Sequence, residues 1–118
     1  MVFPYKPLST DDPLFILMNP ESFTIQVFYT YFFPYDWVKY EFGNHVGDIE
    51  HTYIIYEKTL PTEVYVSQHS WGESIAWGAG GLEMDGSHPV TYNARGTHAT
   101  YLSGGRQWYA DVIFDVCG

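Results

Sequence analysis

A single cysteine, Cys117, stands one residue from the end of the 118-residue chain. An internal disulfide framework is therefore excluded. Nothing beside the thiol in sequence (Asp115, Val116, Gly118) would depress its pKa, so it reads as a bystander and not a nucleophile. Basic residues are also scarce. Five Lys and Arg face fourteen Asp and Glu, a formal charge of −9. Phosphate binding draws its strength from Lys and Arg, which argues against nucleic acid as a partner and against anionic membranes. No apolar run approaches the ~20 residues of a membrane-spanning helix. The opening Met1-Val2-Phe3-Pro4-Tyr5-Lys6 lacks a basic region followed by an apolar core, so no secretory signal is read there. Few windows carry a helical pattern.

What is abundant points to β-structure. Aromatic residues make up 19 % of the chain, with eleven Tyr, eight Phe and four Trp, and Gly and Pro are frequent. That profile fits strands joined by many turns. An apolar content of 46 % supports a packed core in one domain of this length. The expected architecture is an all-β, single-domain antiparallel β-sandwich with little helix. Residues 1–22 read as an irregular lead-in and residues 23–118 as the sandwich. The run from Phe23 to Phe32 predicts a central strand ended by Pro34. Further strands are expected at 48–56, 63–67, 90–93, 98–102 and 109–116. Residues 70–88 hold five glycines and read as a long Gly-rich surface loop.

The segment from Gly43 to His51 concentrates chemistry. His45, Asp48, Glu50 and His51 place four possible ligands within seven residues. On a strand, Asp48 and Glu50 share one face about 6.5–7 Å apart. Such a pair repels unless a cation lies between the carboxylates or one keeps its proton. His51 falls on the opposite face with Ile49. The plainer reading is an exposed acidic strand face with a satisfied core histidine. His69 and His98 stand at predicted strand ends beside Gly-rich loops, where a cleft would form, whereas His88 reads as a surface residue.

These residues carry a resemblance. Tyr31-Phe32-Phe33-Pro34-Tyr35-Asp36 followed by Gly43-Asn44-His45-Val46-Gly47-Asp48-Ile49-Glu50-His51 resembles the core of the necrosis- and ethylene-inducing peptide-like toxins. The stretch from Pro34 through His51 is more similar still to the related vacuolar protein sorting-associated protein 62 family. Ser67-Gln68-His69 and Gly96-Thr97-His98-Ala99 follow in the order both families show. The resemblance implies a β-sandwich with Mg²⁺ or Ca²⁺ in a surface cavity. It places metal ligands at Asp36, His45, Asp48 and Glu50, with His98 as a further cavity residue. It also implies recognition of sugar head groups and a secreted setting. Gly47 and Ile49 depart from the toxin pattern, and one cysteine cannot form the toxin disulfide.

Three functions remain open on these residues. The first is a cation-dependent binding module for a small polar or glycan ligand, including a lipid head group. Trp71 and Trp77 would stack on it, with His69 and His98 nearby. The second is a metal-dependent hydrolase in which His98 or His69 acts as general base on a cation-bound water. Gly78-Ala79-Gly80-Gly81 is no phosphate loop, since no Lys-Ser/Thr follows. Arg95 and Arg106 are the only arginines that could steady an anionic substrate. The third is an interaction protein whose acidic cluster is only a solvated face.

Overall fold

The computed structural model describes residues 14–37, 43–110 and 113–117. Five strands run antiparallel in simple chain order: β1 (Leu14–Asn19), β2 (Thr24–Asp36), β3 (His45–Glu57), β4 (Leu60–Gln68) and β5 (Trp71–Ala76). Three two-stranded ladders follow. β6 (Met84–Asp85) pairs with β7 (His88–Pro89), β8 (Tyr92–Asn93) with β9 (Thr100–Tyr101), and β10 (Gly105–Ala110) with β11 (Ile113–Cys117). The domain is all-β and antiparallel, with no helix among the described residues.

Alternation along β3 sets the layers. Glu50, Thr52 and Ile54 are buried on one face, together with Val64 and Val66 of β4. The register places Thr52 beside Val66 and Ile54 beside Val64. β9 packs over β3 and β4 and closes this face. Fully burying side chains such as Val64 and Val66 is worth about 1.5–3 kcal/mol each. Ile54, Val64 and Leu82 form one apolar cluster; Ala94, Ala99, Tyr101 and Cys117 form another. The reverse face of the sheet carries a run of rings. Tyr53 stacks on Tyr65 at 4.5 Å, and Phe28 tilts against Tyr53 at 4.8 Å.

Several boundaries differ from the sequence reading. Leu14–Asn19, inside the expected lead-in, pairs with Thr24–Tyr29; residues 1–13 lie outside the described residues. β2 continues through Pro34 to Asp36. Beyond Tyr29 its outer edge has no strand partner among the described residues, so the missing proline N–H disrupts no ladder there. The expected Gly-rich loop starts later, because Trp71–Ala76 pairs with Glu63–Gln68 and becomes β5. The predicted strand at 109–116 divides between two paired strands, β10 and β11, with residues 111 and 112 outside the described residues. Their pairing satisfies backbone groups that a lone strand would leave open.

Candidate metal centre

The ends of β2 and β3 meet with Asp36 opposite His45. On a regular strand His45 and Asp48 would project from opposite faces. Gly47 between them adopts φ +76°, a left-handed conformation that glycine takes without strain. Across this break, one ligand atom each from Asp36, His45 and Asp48 lies within 4.8 Å of the others.

Hydrogen bonding sets the chemistry of the group. His45 Nδ1 lies 2.9 Å from the Gly47 carbonyl oxygen. A carbonyl only accepts, so Nδ1 carries the proton, and in the neutral ring Nε2 presents its lone pair. That nitrogen faces Asp36 Oδ2 at 3.4 Å. Two acceptors at this separation require a proton or a cation between them. The Asp36 side chain is only 9 % exposed, and its Oδ1 has no hydrogen-bond partner among the described residues. An unpaired buried acceptor costs about 1–3 kcal/mol, and more when charged. Burial raises the Asp36 pKa; the adjacent His45 opposes the rise and the charge of Asp48 adds to it.

His98 buttresses the third member. Its Nδ1 lies 3.2 Å from Asp48 Oδ2, and its ring stacks on Phe33 with centroids 3.8 Å apart and planes 2° from parallel. The backbone at His98 is left-handed, φ +59°, as it is at His69, φ +50°. For a residue with a Cβ that conformation costs about 1–2 kcal/mol.

Glu50 shares the Asp48 face but turns inward. It accepts the Ser67 hydroxyl, and Ser67 Oγ in turn accepts the His51 backbone N–H at 2.8 Å. Burial pushes the Glu50 carboxyl up to about 7, against the opposing Ser67 bond. His69 pairs with Asp115 at 2.8 Å. Asp115 also accepts the Thr97 hydroxyl at 2.8 Å and the Tyr101 hydroxyl at 2.7 Å. Burial opposes the charge of each partner. The hydrogen bond to Asp115 nevertheless raises the His69 pKa, and the three bonds received lower that of Asp115.

The remaining sequence candidates separate. Trp71 is 54 % exposed at the start of β5, while Trp77 packs against the Ile54–Val64–Leu82 cluster. His88 is exposed opposite Asp85. The Arg106 guanidinium lies 4.2 Å from the Phe114 ring centroid. Sequence reasoning missed two residues. Asp115 gave no signal, because its neighbours Phe114 and Val116 suggest the opposite inward face. Trp37 follows Asp36 directly and is 53 % exposed; its position one residue past a candidate ligand was the available clue.

A family model described as vacuolar protein sorting-associated protein 62 matches residues 36–113. That span includes Asp36, His45, Asp48, His69 and His98. Vacuolar protein sorting-associated protein 62 of Saccharomyces cerevisiae is 33 % identical over 109 residues, covering 76 % of this chain and 23 % of the yeast protein. A second protein of that yeast, TDA6, also described as vacuolar protein sorting-associated, is 26 % identical over 122 residues. The match covers 86 % of this chain and 26 % of TDA6. The chain thus spans about a quarter of the length of these curated relatives. No solved structure matches it.

Proposed function

The chain belongs to the vacuolar protein sorting-associated protein 62 family, and from the residues at the β2–β3 end we propose that it is a divalent-cation-binding module. The cation, Mg²⁺ or Ca²⁺, sits between Asp36, His45 and Asp48 and helps to hold a polar ligand, a glycan or a lipid head group. The observation that carries this reading is the buried, unpartnered oxygen of Asp36 on the carboxylate that faces the His45 lone pair. A cation held by both oxygens of the Asp36 carboxylate and by His45 Nε2 would satisfy these acceptors at once. Carboxylate oxygens suit these hard ions, which also accept several oxygens from water or ligand. Glu50 stands behind the centre as a proton-holding carboxyl.

Thermal unfolding with and without cation tests the proposal. A ligand of the folded state at 100 times its Kd adds about 2.7 kcal/mol, or roughly 10 °C for a domain of this size. CaCl₂ or MgCl₂ should raise the melting temperature of the wild type, and EDTA should reverse the rise. Asp36→Asn and Asp48→Asn should abolish the shift. A wild type indifferent to both ions would refute the reading.

The His69–Asp115 pair favours a second reading, a metal-dependent hydrolase. A histidine oriented by a carboxylate, once deprotonated, can serve as general base for cation-bound water. Cation-dependent turnover of ester or phosphodiester substrates, lost in His69→Ala, would establish it over pure binding.

A further inference from the structure

We propose that the outward face of β10–β11 is a docking site for an extended acidic peptide of a partner protein. The peptide adds as a strand beside β10, setting a carboxylate against Arg106 and an apolar side chain against Trp108. This face carries none of the acids or histidines of the metal centre, and the proposal stands independently of the cation reading.

Register assembles the face. Arg106 pairs with Val116 and Trp108 with Phe114, and cross-strand partners share a face. Asp115 and Cys117 are buried on the opposite side, so the four partners point outward. Trp108 is 63 % exposed, and Arg106, Phe114 and Val116 are exposed with it. Ala94 bridges to Cys117, and Arg95 N–H donates to the Val116 carbonyl at 2.9 Å. That bridge brings exposed Arg95 to the other flank of Val116.

Charge selects the occupant. Both arginines of a chain with five basic and fourteen acidic residues stand on this face. The one acid of β10 and β11, Asp115, is buried away from it. The Arg106 guanidinium lies 4.2 Å from the Phe114 ring centroid and 6.0 Å from that of Trp108. The two rings meet edge-on at 5.3 Å. Among the described residues Arg106 forms no ion pair. A guanidinium held on a ring keeps its N–H edge for a carboxylate, which its planar fork can grip through two bonds. A nucleic acid or an anionic membrane would also meet the field of −9 around this face, whereas a short peptide touches the face alone.

The sheet edge sets the mode. β10 pairs with β11 on one side, and among the described residues its other edge has no strand partner. Such an edge offers N–H and C=O groups to an incoming strand. Side chains of an added strand alternate, so residues two apart would stand beside Arg106 and Trp108. The occupant is thus a segment with an acidic and an apolar residue at that spacing. Arg and Trp are also the side chains that most often dominate binding at protein interfaces.

The test is fluorescence anisotropy of the full chain with the labelled peptide (Thr-Glu-Thr-Phe)₂. The wild type should bind it more tightly than (Thr-Lys-Thr-Phe)₂, which reverses the charge. It should also prefer it to (Glu-Phe-Thr-Thr)₂, which sends Glu and Phe to opposite faces of a strand. Arg106→Gln and Trp108→Ala should each weaken binding about tenfold or more, with the melting temperature nearly unchanged because both side chains are exposed. Arg106→Lys keeps the charge without the planar fork and should recover only part of the loss. No binding by the wild type, equal affinity for the Lys peptide, or undiminished binding by Arg106→Gln would overturn the proposal. Binding to phosphatidylserine vesicles but not to the peptide would assign the face to a membrane instead. A dimer in light scattering that Trp108→Ala dissolves, again with no peptide bound, would assign it to a second copy of the chain; either result overturns the proposal.

Discussion

Glu50 is 5 % exposed, and burial holds its carboxyl near 7 where the unfolded chain would have 4.5. A group whose pKa is raised on folding contributes stability below its unfolded value and loses that contribution as pH rises through the folded one. In EDTA, the wild type should therefore lose stability between about pH 4.5 and pH 7. Glu50→Gln keeps an acceptor for Ser67 and should flatten that part of the profile. Melting curves at half-unit pH steps compare the two, and parallel profiles would contradict the expectation. The spacing of Asp48 and Glu50 correctly placed both on one face. It could not show that the face passes from the rim at Asp48 to the interior at Glu50, since that depends on β9 packing across β3. The grouping of His45 with Asp48 was expected from the sequence, where the chain is still turning at His45; strand periodicity alone opposes it, and the left-handed Gly47 permits it.

Among the elements, β11 is the most informative. Its alternation is inverted: Asp115 and Cys117 are buried, while Phe114 and Val116 face out. From sequence the apolar pair would be read as the inward face. The inversion holds because Asp115 has three donors waiting, from the β4–β5 turn, the 94–98 turn and β9. One carboxylate thus joins elements distant in sequence. Asp115 titrates lower in the folded state, so its contribution is present above 3.8 and is lost as pH falls through its folded value. His69 titrates higher, so its contribution is present below 6.5 and fades as pH rises through its folded value. Both are complete between 3.8 and 6.5. Asp115→Asn should therefore cost about 3–5 kcal/mol at pH 5.5, the usual penalty for breaking a buried pair. Urea unfolding should show a smaller loss at pH 9. The strands β2, β3 and β4 were legible because long runs of β-branched and aromatic residues fix them. β5 was not, since Gly72, Glu73 and Ser74 resemble a loop until β4 supplies a ladder.

At the scale of the molecule, a charge of −9 is compatible with solubility alone or with cation binding. Asp36, Glu50 and Asp115 prove to be buried, with Asp48 partly so, which moves the informative acids from the surface to the interior. The all-β class was legible in composition; the burial of these acids was not, because it depends on which polar side chains meet in space. Among the described residues the interior holds as many polar as apolar side chains, Ser67, Gln68, Thr97 and Thr100 among the former. Thermodynamically, such an interior has a distinctive heat response. Hydrating apolar surface raises the heat capacity on unfolding and hydrating polar surface lowers it. A domain of this length ordinarily shows about 1.4–1.8 kcal/mol/K. Calorimetry of this chain should return less than ~1.4 kcal/mol/K. The stability curve would then be broad and shallow, with cold destabilisation displaced to lower temperature.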